Sequence, residues 1–237
     1  MVSFEVDAVL FDMDGTLVES TPAVVGAWET FQKSYPHLDL TDVLKNSHGI
    51  RTIENLRNYC KISHEEHLAA EVVRFEAEIV RNGERLKAEG KGGIKKLPGV
   101  DALVSQVENG DGKQKWAIAT SATRAYASAA LEIADIQVPD AFVTAEDVSI
   151  GKPFPDPYLL AARLVGVSPH RCLVVEDAPN GIRSGKSAGA KVIGLVTSHS
   201  RKEVEDAKPD WIVPDLSWVT ARHTETGLEF TIREESQ

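Results

Sequence analysis

Residues 8–16 read Ala8-Val9-Leu10-Phe11-Asp12-Met13-Asp14-Gly15-Thr16. The first four are apolar and suit an extended chain. A short, wholly apolar run of this kind describes a strand buried on both faces, as in a parallel sheet. Two carboxylates follow, two positions apart. Side chains at i and i+2 of an extended backbone point the same way, so Asp12 and Asp14 are expected to project together from the strand's carboxyl end. Two unit charges ~4 Å apart repel by roughly 4 kcal/mol at an effective dielectric of ~20. A cation must offset that, and carboxylate oxygen suits Mg²⁺. Gly15 frees the backbone for a sharp turn, and Thr16 adds a hydroxyl and an amide. Taken alone, the stretch also fits a plain polar turn. A calcium loop of the EF-hand type fits less well, because it needs more acids and a closing Glu where Leu17-Val18 stand here.

Downstream, a helix is expected from Thr21 as N-cap with Pro22 at the first helical position, covering Ala23 to Lys33. Thr52 to Cys60 and His64 to Glu89 read as two more helices, the second with a weak spot at Asn82-Gly83. No convincing strand appears before about Lys96. The turn Leu97-Pro98-Gly99 then opens a regular alternation. Helix Val100 to Glu108 and the turn Asn109-Gly110-Asp111-Gly112 precede a buried strand, Lys115 to Ala119. Helix Arg124 to Ile133, strand Ala141 to Thr144 and helix Asp156 to Val165 come next. Strand Arg171 to Val175, helix Gly181 to Ala188, strand Lys191 to Val196, helix Arg201 to Ala207 and strand Trp211 to Val213 complete the series. Leu228 to Ile232 reads as an added edge strand and Arg233 to Gln237 as a frayed tail. There is no internal repeat. This rhythm predicts an α/β fold: a Rossmann-like parallel sheet with helices on both faces, interrupted after its first strand by a small all-helical domain. The predicted boundaries are 1–19 with 98–237 for the core and 20–97 for the insert.

The 237 residues suffice for such a core plus a smaller unit. A net charge of -10 argues against a nucleic-acid or anionic-membrane partner. The two cysteines, Cys60 and Cys172, stand in no metal-ligand spacing and read as free thiols in a reducing, cytoplasmic setting. Glu5 and Asp7 break any signal-peptide pattern, and no apolar run is long enough to span a membrane. A monomer is expected.

Ligands of open α/β sheets bind beyond the carboxyl ends of the strands. Four such ends carry polar groups here. They hold Asp12 with Asp14, Thr120 with Ser121, Lys152 in the loop after the third strand, and Glu176 with Asp177. The pattern resembles the haloacid dehalogenase superfamily on its phosphatase side. The motif Asp-x-Asp-Gly-Thr stands as Asp12 to Thr16, the apolar strand ending in Ser or Thr as Ala117 to Thr120, the Lys before Pro as Lys152-Pro153, and the acidic pair as Glu176-Asp177. The helical insert resembles that family's cap domain. Ser47-His48-Gly49-Ile50-Arg51-Thr52, Lys115 to Ser121 and Glu176-Asp177-Ala178-Pro179 resemble most the phosphatases of small polyol and sugar phosphates, including the fungal glycerol-3-phosphatase and 2-deoxyglucose-6-phosphatase group.

The resemblance implies a Mg²⁺-dependent phosphomonoesterase acting on a small-molecule phosphate ester through an aspartyl-phosphate. Asp12 would be the nucleophile and Asp14 the general acid and then base. The second Asp argues against carbon–halogen chemistry. Thr120 and Ser121 would bind phosphate, and Lys152 would face Asp12 and the transferring group as a fixed positive charge. The metal would take Asp12, the Asp14 main-chain carbonyl, Asp177 and, directly or through water, Glu176. In the cap, His48 and Arg51 are the candidate substrate contacts. His64 and His67 have metal-compatible spacing, but Glu65-Glu66 between them suit a solvated helix face. A phosphomutase such as β-phosphoglucomutase would share these motifs. A catalytically silent regulatory protein on the same fold would be expected to lose some of them.

Overall fold

A computed structural model describes residues 1–108 and 115–233. The expected turn at 109–112 and the last four residues lie outside that description. The chain opens with β1 (Val2–Val6) and β2 (Ala8–Phe11), followed by the short β3 (Val18–Glu19). Helices α1 (Thr21–Ser34), α2 (Leu40–Asn46), α3 (Thr52–Tyr59) and α4 (Glu65–Ala88) form the insert, and β4 (Lys95–Lys96) closes it. The core resumes with α5 (Val100–Glu108), β5 (Trp116–Ala119), α6 (Arg124–Ile133), β6 (Ala141–Val143), α7 (Asp156–Leu164) and β7 (Cys172–Glu176). It ends with α8 (Pro179–Ser187), β8 (Lys191–Leu195), α9 (Arg201–Asp206), β9 (Trp211–Val213), β10 (Val219–His223) and β11 (Leu228–Ile232).

Six strands make a parallel sheet in the order β6-β5-β2-β7-β8-β9. Alternate residues of each strand go to opposite faces, and the sheet accordingly carries two separate cores. Phe11, Trp116, Ile118 and Val175 pack on one side. Ala8, Leu10, Ala117 and Ala119 pack on the other, where small residues admit Tyr158, Ala161 and Ala162 of α7. β2 lies centrally, between β5 and β7, with Phe11 opposite both Ile118 and Val175. That register brings the ends of three strands to one edge.

Three expectations need correction. Ala8–Phe11 is not the first strand. Val2–Val6 precedes it and pairs with Leu228–Ile232, which pairs in turn with Val219–His223, in a separate antiparallel sheet. The tail strand therefore extends no edge of the parallel sheet. The alternation of Val2, Phe4 and Val6 with Ser3 and Glu5 is the period of a strand with one buried face. Two strands too short to be read from the sequence flank the helices of the insert. Val18–Glu19 pairs antiparallel with Lys95–Lys96, so the two chain crossings into the insert are stitched together. Finally, α2 is a fourth helix in the insert, begun by Asp39, whose side chain accepts from the Thr41 and Asp42 amides.

The expected weak spot in α4 does not interrupt it. Gly83 lies under Ile94, and a Cβ there would stand 2.9 Å from Ile94 Cγ1. Asn82 packs against Gly26 of α1 in the same tight crossing. Trp28, Phe31 and Phe75 fill the space between α1 and α4, with Trp28 and Phe75 ring centroids 4.3 Å apart. Burying each such ring contributes roughly 1.5–3 kcal/mol.

Candidate active site

The expected strand-end residues converge. The Asp12 amide continues the ladder by donating to Val175 O at 3.0 Å, and the chain then turns over Met13, whose carbonyl accepts from Thr16, Leu17 and Val18. Gly15 takes φ +83°, and a Cβ there would run into the Asp177 carboxylate. Asp12 and Asp14 both face one cavity, together with Thr120 and Ser121.

Lys152 is 2% exposed. Its Nζ lies 2.5 Å from Asp12 Oδ1 and 2.7 Å from Glu176 Oε1. Burial alone would drive the ammonium's pKa down, but Asp12 and Glu176 outweigh it and hold it above its ordinary value. Glu176 is saturated. Oε1 also accepts from Tyr158 Oη at 3.0 Å, and Oε2 accepts from the Asp177 and Ala178 amides at 2.9 Å each. These bonds make Glu176 the anchor of Lys152 and of its own loop, and they take up the oxygens that direct metal ligation would need. Asp177 accepts from Thr16 Oγ1 at 3.2 Å and from Ser198.

Asp14 is held differently. Ser20 Oγ at 2.5 Å and Tyr126 Oη at 2.8 Å both donate to its Oδ1. This explains a local departure at α1. Ser20, not Thr21, is the N-cap, and it makes no side-chain cap bond because its hydroxyl goes to Asp14.

The two hydroxyls at the end of β5 differ. Thr120 Oγ1 accepts from the Ala122 amide at 3.1 Å and keeps its proton for a ligand. Ser121 Oγ donates to Gly49 O of the insert at 3.0 Å. Burial pushes Asp12 up to about 7, with Lys152 opposing and Glu176 and Asp14 adding to the rise. Burial likewise raises Asp14 and, further, Asp177.

Asp12, Glu176 and Asp177 offer oxygens within 4.8 Å of one another. Among the described residues Lys152 is the one Lys or Arg set against these three buried carboxylates, and the donors are hard oxygens. Both features fit Mg²⁺. The Asp14 side chain stands outside that cluster, turned to Ser20 and Tyr126.

In the insert, His48 borders the cavity and packs edge-on against His199 of the core, ring centroids 5.5 Å apart. Arg51 does not border it. Its guanidinium is held by Glu54, at 2.7 Å from Nε and 2.5 Å from Nη2, and reaches the carbonyls of Ser149 at 3.3 Å and Val148 at 3.5 Å. Arg51 thus stands apart from the cavity, tied to Glu54 and to the segment before Lys152, whereas a substrate contact was expected of it. His64 and His67 are exposed on α4, and Cys60 and Cys172 are buried free thiols. Tyr126, Tyr158, Ser198 and Asn55 carry no signal in the sequence that marks them as site residues. Their side chains reach the site from helices and a loop, where each resembles an ordinary packing or turn residue.

The haloacid dehalogenase-like hydrolase family matches residues 6–189. This chain belongs to that family. It is 42% identical to hexitol phosphatase A of Escherichia coli over 186 residues, 78% of this chain and 81% of that protein. It is 38% identical to glycerol-1-phosphate phosphohydrolase 2 of Saccharomyces cerevisiae over 221 residues, 90% of this chain and 83% of that one. The crystal structure of a hydrolase from Pseudomonas syringae has the same fold, with a TM-score of 0.71 at 27% identity over 89% of this chain and 94% of the other. The resemblance to the fungal polyol-phosphatase group is therefore upheld, and the chain is a hydrolase. No helix among the described residues is long and apolar enough to cross a membrane.

Proposed function

We propose that this chain hydrolyses the phosphate monoester of a small polyol or sugar, by way of a phosphorylated Asp12. The observation that carries the reading is the pairing of Asp12 and Asp14 in one cavity, with opposite surroundings. Asp12 Oδ1 is fixed by Lys152, which leaves its other oxygen to attack phosphorus. Asp14 Oδ1 is fixed by Ser20 and Tyr126, and Oδ2 serves as acid to the leaving alkoxide and then as base to water. A raised Asp14 pKa supports a carboxyl that holds a proton to donate. Thr120 gives its hydroxyl proton to a phosphoryl oxygen. Asp12, Asp177 and the Asp14 carbonyl would hold Mg²⁺, with Glu176 acting through water or through Lys152. The ion, when bound, offsets the charge of the phosphoryl group and its carboxylate attacker.

The residues 20–97 act as a cap that excludes bulk water and meets the leaving group. The cavity between cap and core holds about 90 Å³, far below the ~300–1,000 Å³ typical of pockets for drug-sized ligands. A short polyol or one sugar suits it. Both relatives are phosphatases of polyol phosphates by name. A phosphomutase must hold a second phosphate, and among the described residues no Lys or Arg borders the cavity, which weighs for water as acceptor. Buried free thiols fit a cytoplasmic enzyme, and we take the monomer as its working form.

Phosphate release from a panel of polyol and sugar phosphates tests the reading. We expect turnover with Mg²⁺, its loss in excess chelator, and its return when Mg²⁺ is restored. Asp12→Asn should lose roughly 10³-fold or more in kcat without a lower Tm. Near wild-type turnover by Asp12→Asn, or full activity in chelator, would overturn it.

A further inference from the structure

Beyond its phosphate end the cavity runs under α1 and α4 to a wall built by α3 and the turn before it. Asn55 of α3 stands in that wall and is 6% exposed. Its Nδ2 donates to Ser47 O at 2.9 Å and to Ile50 O at 3.4 Å. Those partners fix the amide, since turning it over would set Oδ1 against two carbonyl oxygens. Oδ1 is therefore the amide atom left over, and it is buried with no partner in a residue that borders the cavity. Among the described residues one other buried side-chain polar atom shares that condition, Trp116 Nε1, which lies in the sheet away from the cavity. A buried acceptor without a donor is costly, and a ligand that donates to it recovers the loss.

Two of the neighbouring hydroxyls have their protons committed elsewhere and add acceptors. Thr52 Oγ1 gives its proton to Glu76 Oε1 at 2.8 Å. Ser121 Oγ gives its own to Gly49 O. Opposite them the walls are Trp28 and Phe75, and among the described residues no Lys or Arg borders the space.

We propose that Asn55 Oδ1 accepts a hydrogen bond from a hydroxyl of the leaving group, which makes the substrate's non-phosphate end a neutral, hydroxylated carbon chain. The inference rests on the phosphomonoesterase reading above. A carboxylate or second phosphate brings negative charge to a wall with no Lys or Arg among the described residues, and is rejected. A hydroxyl supplies the missing proton, and the C–H faces of a polyol lie on the aromatic walls.

The test compares kcat/KM of the wild type on glycerol 3-phosphate and sorbitol 6-phosphate with analogues of each lacking one hydroxyl. p-Nitrophenyl phosphate reports the chemistry alone. For the better parent, loss of the hydroxyl that meets Asn55 should cost roughly tenfold or more, because a polar group built to pair is left unpaired. Asn55→Ala should bring that ratio to within about twofold, chiefly by slowing the parent. Deoxy analogues all turned over by the wild type within about twofold of the parent would overturn the proposal. A folded Asn55→Ala that keeps the wild-type ratio would do the same. If Asn55→Ala does not fold, the wild-type series decides alone. A wild type inert towards p-nitrophenyl phosphate in Mg²⁺ would instead sink the phosphomonoesterase reading on which the inference stands.

Discussion

Ser20 and Tyr126 converge on one oxygen of Asp14, and this separates its role from that of Asp12 two residues earlier. Two hydroxyl donors on Oδ1 hold the carboxyl plane and present Oδ2 to the cavity. Hydrogen bonds to charged groups are worth roughly 1.5–3 kcal/mol, and tenfold in rate is about 1.4 kcal/mol. Tyr126→Phe keeps the ring in its buried site and removes one of the two donors. It should lower kcat roughly tenfold with KM little changed, since the bond orients a group for proton transfer and does not hold ground-state substrate. Steady-state kinetics on one polyol phosphate would show this, and an unchanged kcat would remove Tyr126 from the reaction. The sequence exposed Asp12, Asp14, Thr120 and Asp177 because each follows an apolar strand, where local pattern alone tells position, and Lys152, in the loop beyond β6, through the Lys-Pro of the resemblance. Tyr126 was invisible for the opposite reason. It lies on α6, 112 residues from Asp14, and only docking of the helix brings them together.

Register does the same work among the elements. Parallel pairing of β2 with β5 and β7 sets Asp12, Thr120 and Glu176 at one edge, and buried apolar runs of four residues were enough to read those strands. β3 and β4, at two residues each, are too short to show any period. The small antiparallel sheet went unread because its partners sit at opposite ends of the chain. Gly99, where the chain leaves β4 for α5, shows what such a junction demands. It takes φ +84°, and a Cβ would strike the backbone of Leu216 and Ser217. Gly166 has nearly the same torsion, φ +70°, with nothing within 4 Å. The pair separates torsional strain from close approach. Gly166→Ala should cost roughly 1 kcal/mol, and Gly99→Ala roughly 2–4 kcal/mol because backbone must also move. In a chain of this size that is a fall in Tm of roughly 5–15 °C for Gly99→Ala. Equal losses in the two variants would mean that the α5 junction yields freely to the added carbon.

At the scale of the whole molecule the insert closes on the core through polar contacts that ring the cavity. Ser121 Oγ donates to Gly49 O. Glu76, buried on α4, accepts from Thr52 of the insert and from Thr123 at the start of α6. Arg51 ties α3 to the segment just before Lys152, and a Cβ on Gly151 would stand 2.9 Å from its Nε. That an insert exists could be read from the absence of buried strands between Phe11 and Lys95. How it sits could not, because Arg51 looks the same in sequence whether it faces a ligand or a carbonyl. The two roles predict different kinetics. A leaving-group contact would matter for a polyol phosphate and little for p-nitrophenyl phosphate. A clasp on the Lys152 segment acts on the phosphoryl end, which every substrate shares. Arg51→Ala should therefore lower kcat/KM by a similar factor on both, roughly three- to tenfold, the scale of one or two partly exposed charge-assisted bonds. Glu54 loses its partner but is about one-third exposed and can turn to water, so Tm should change little. Kinetics on the two substrates decide the matter. A loss confined to the polyol phosphate would return Arg51 to the leaving group, and would mean that the cap shifts enough in the working enzyme to release the guanidinium from Glu54.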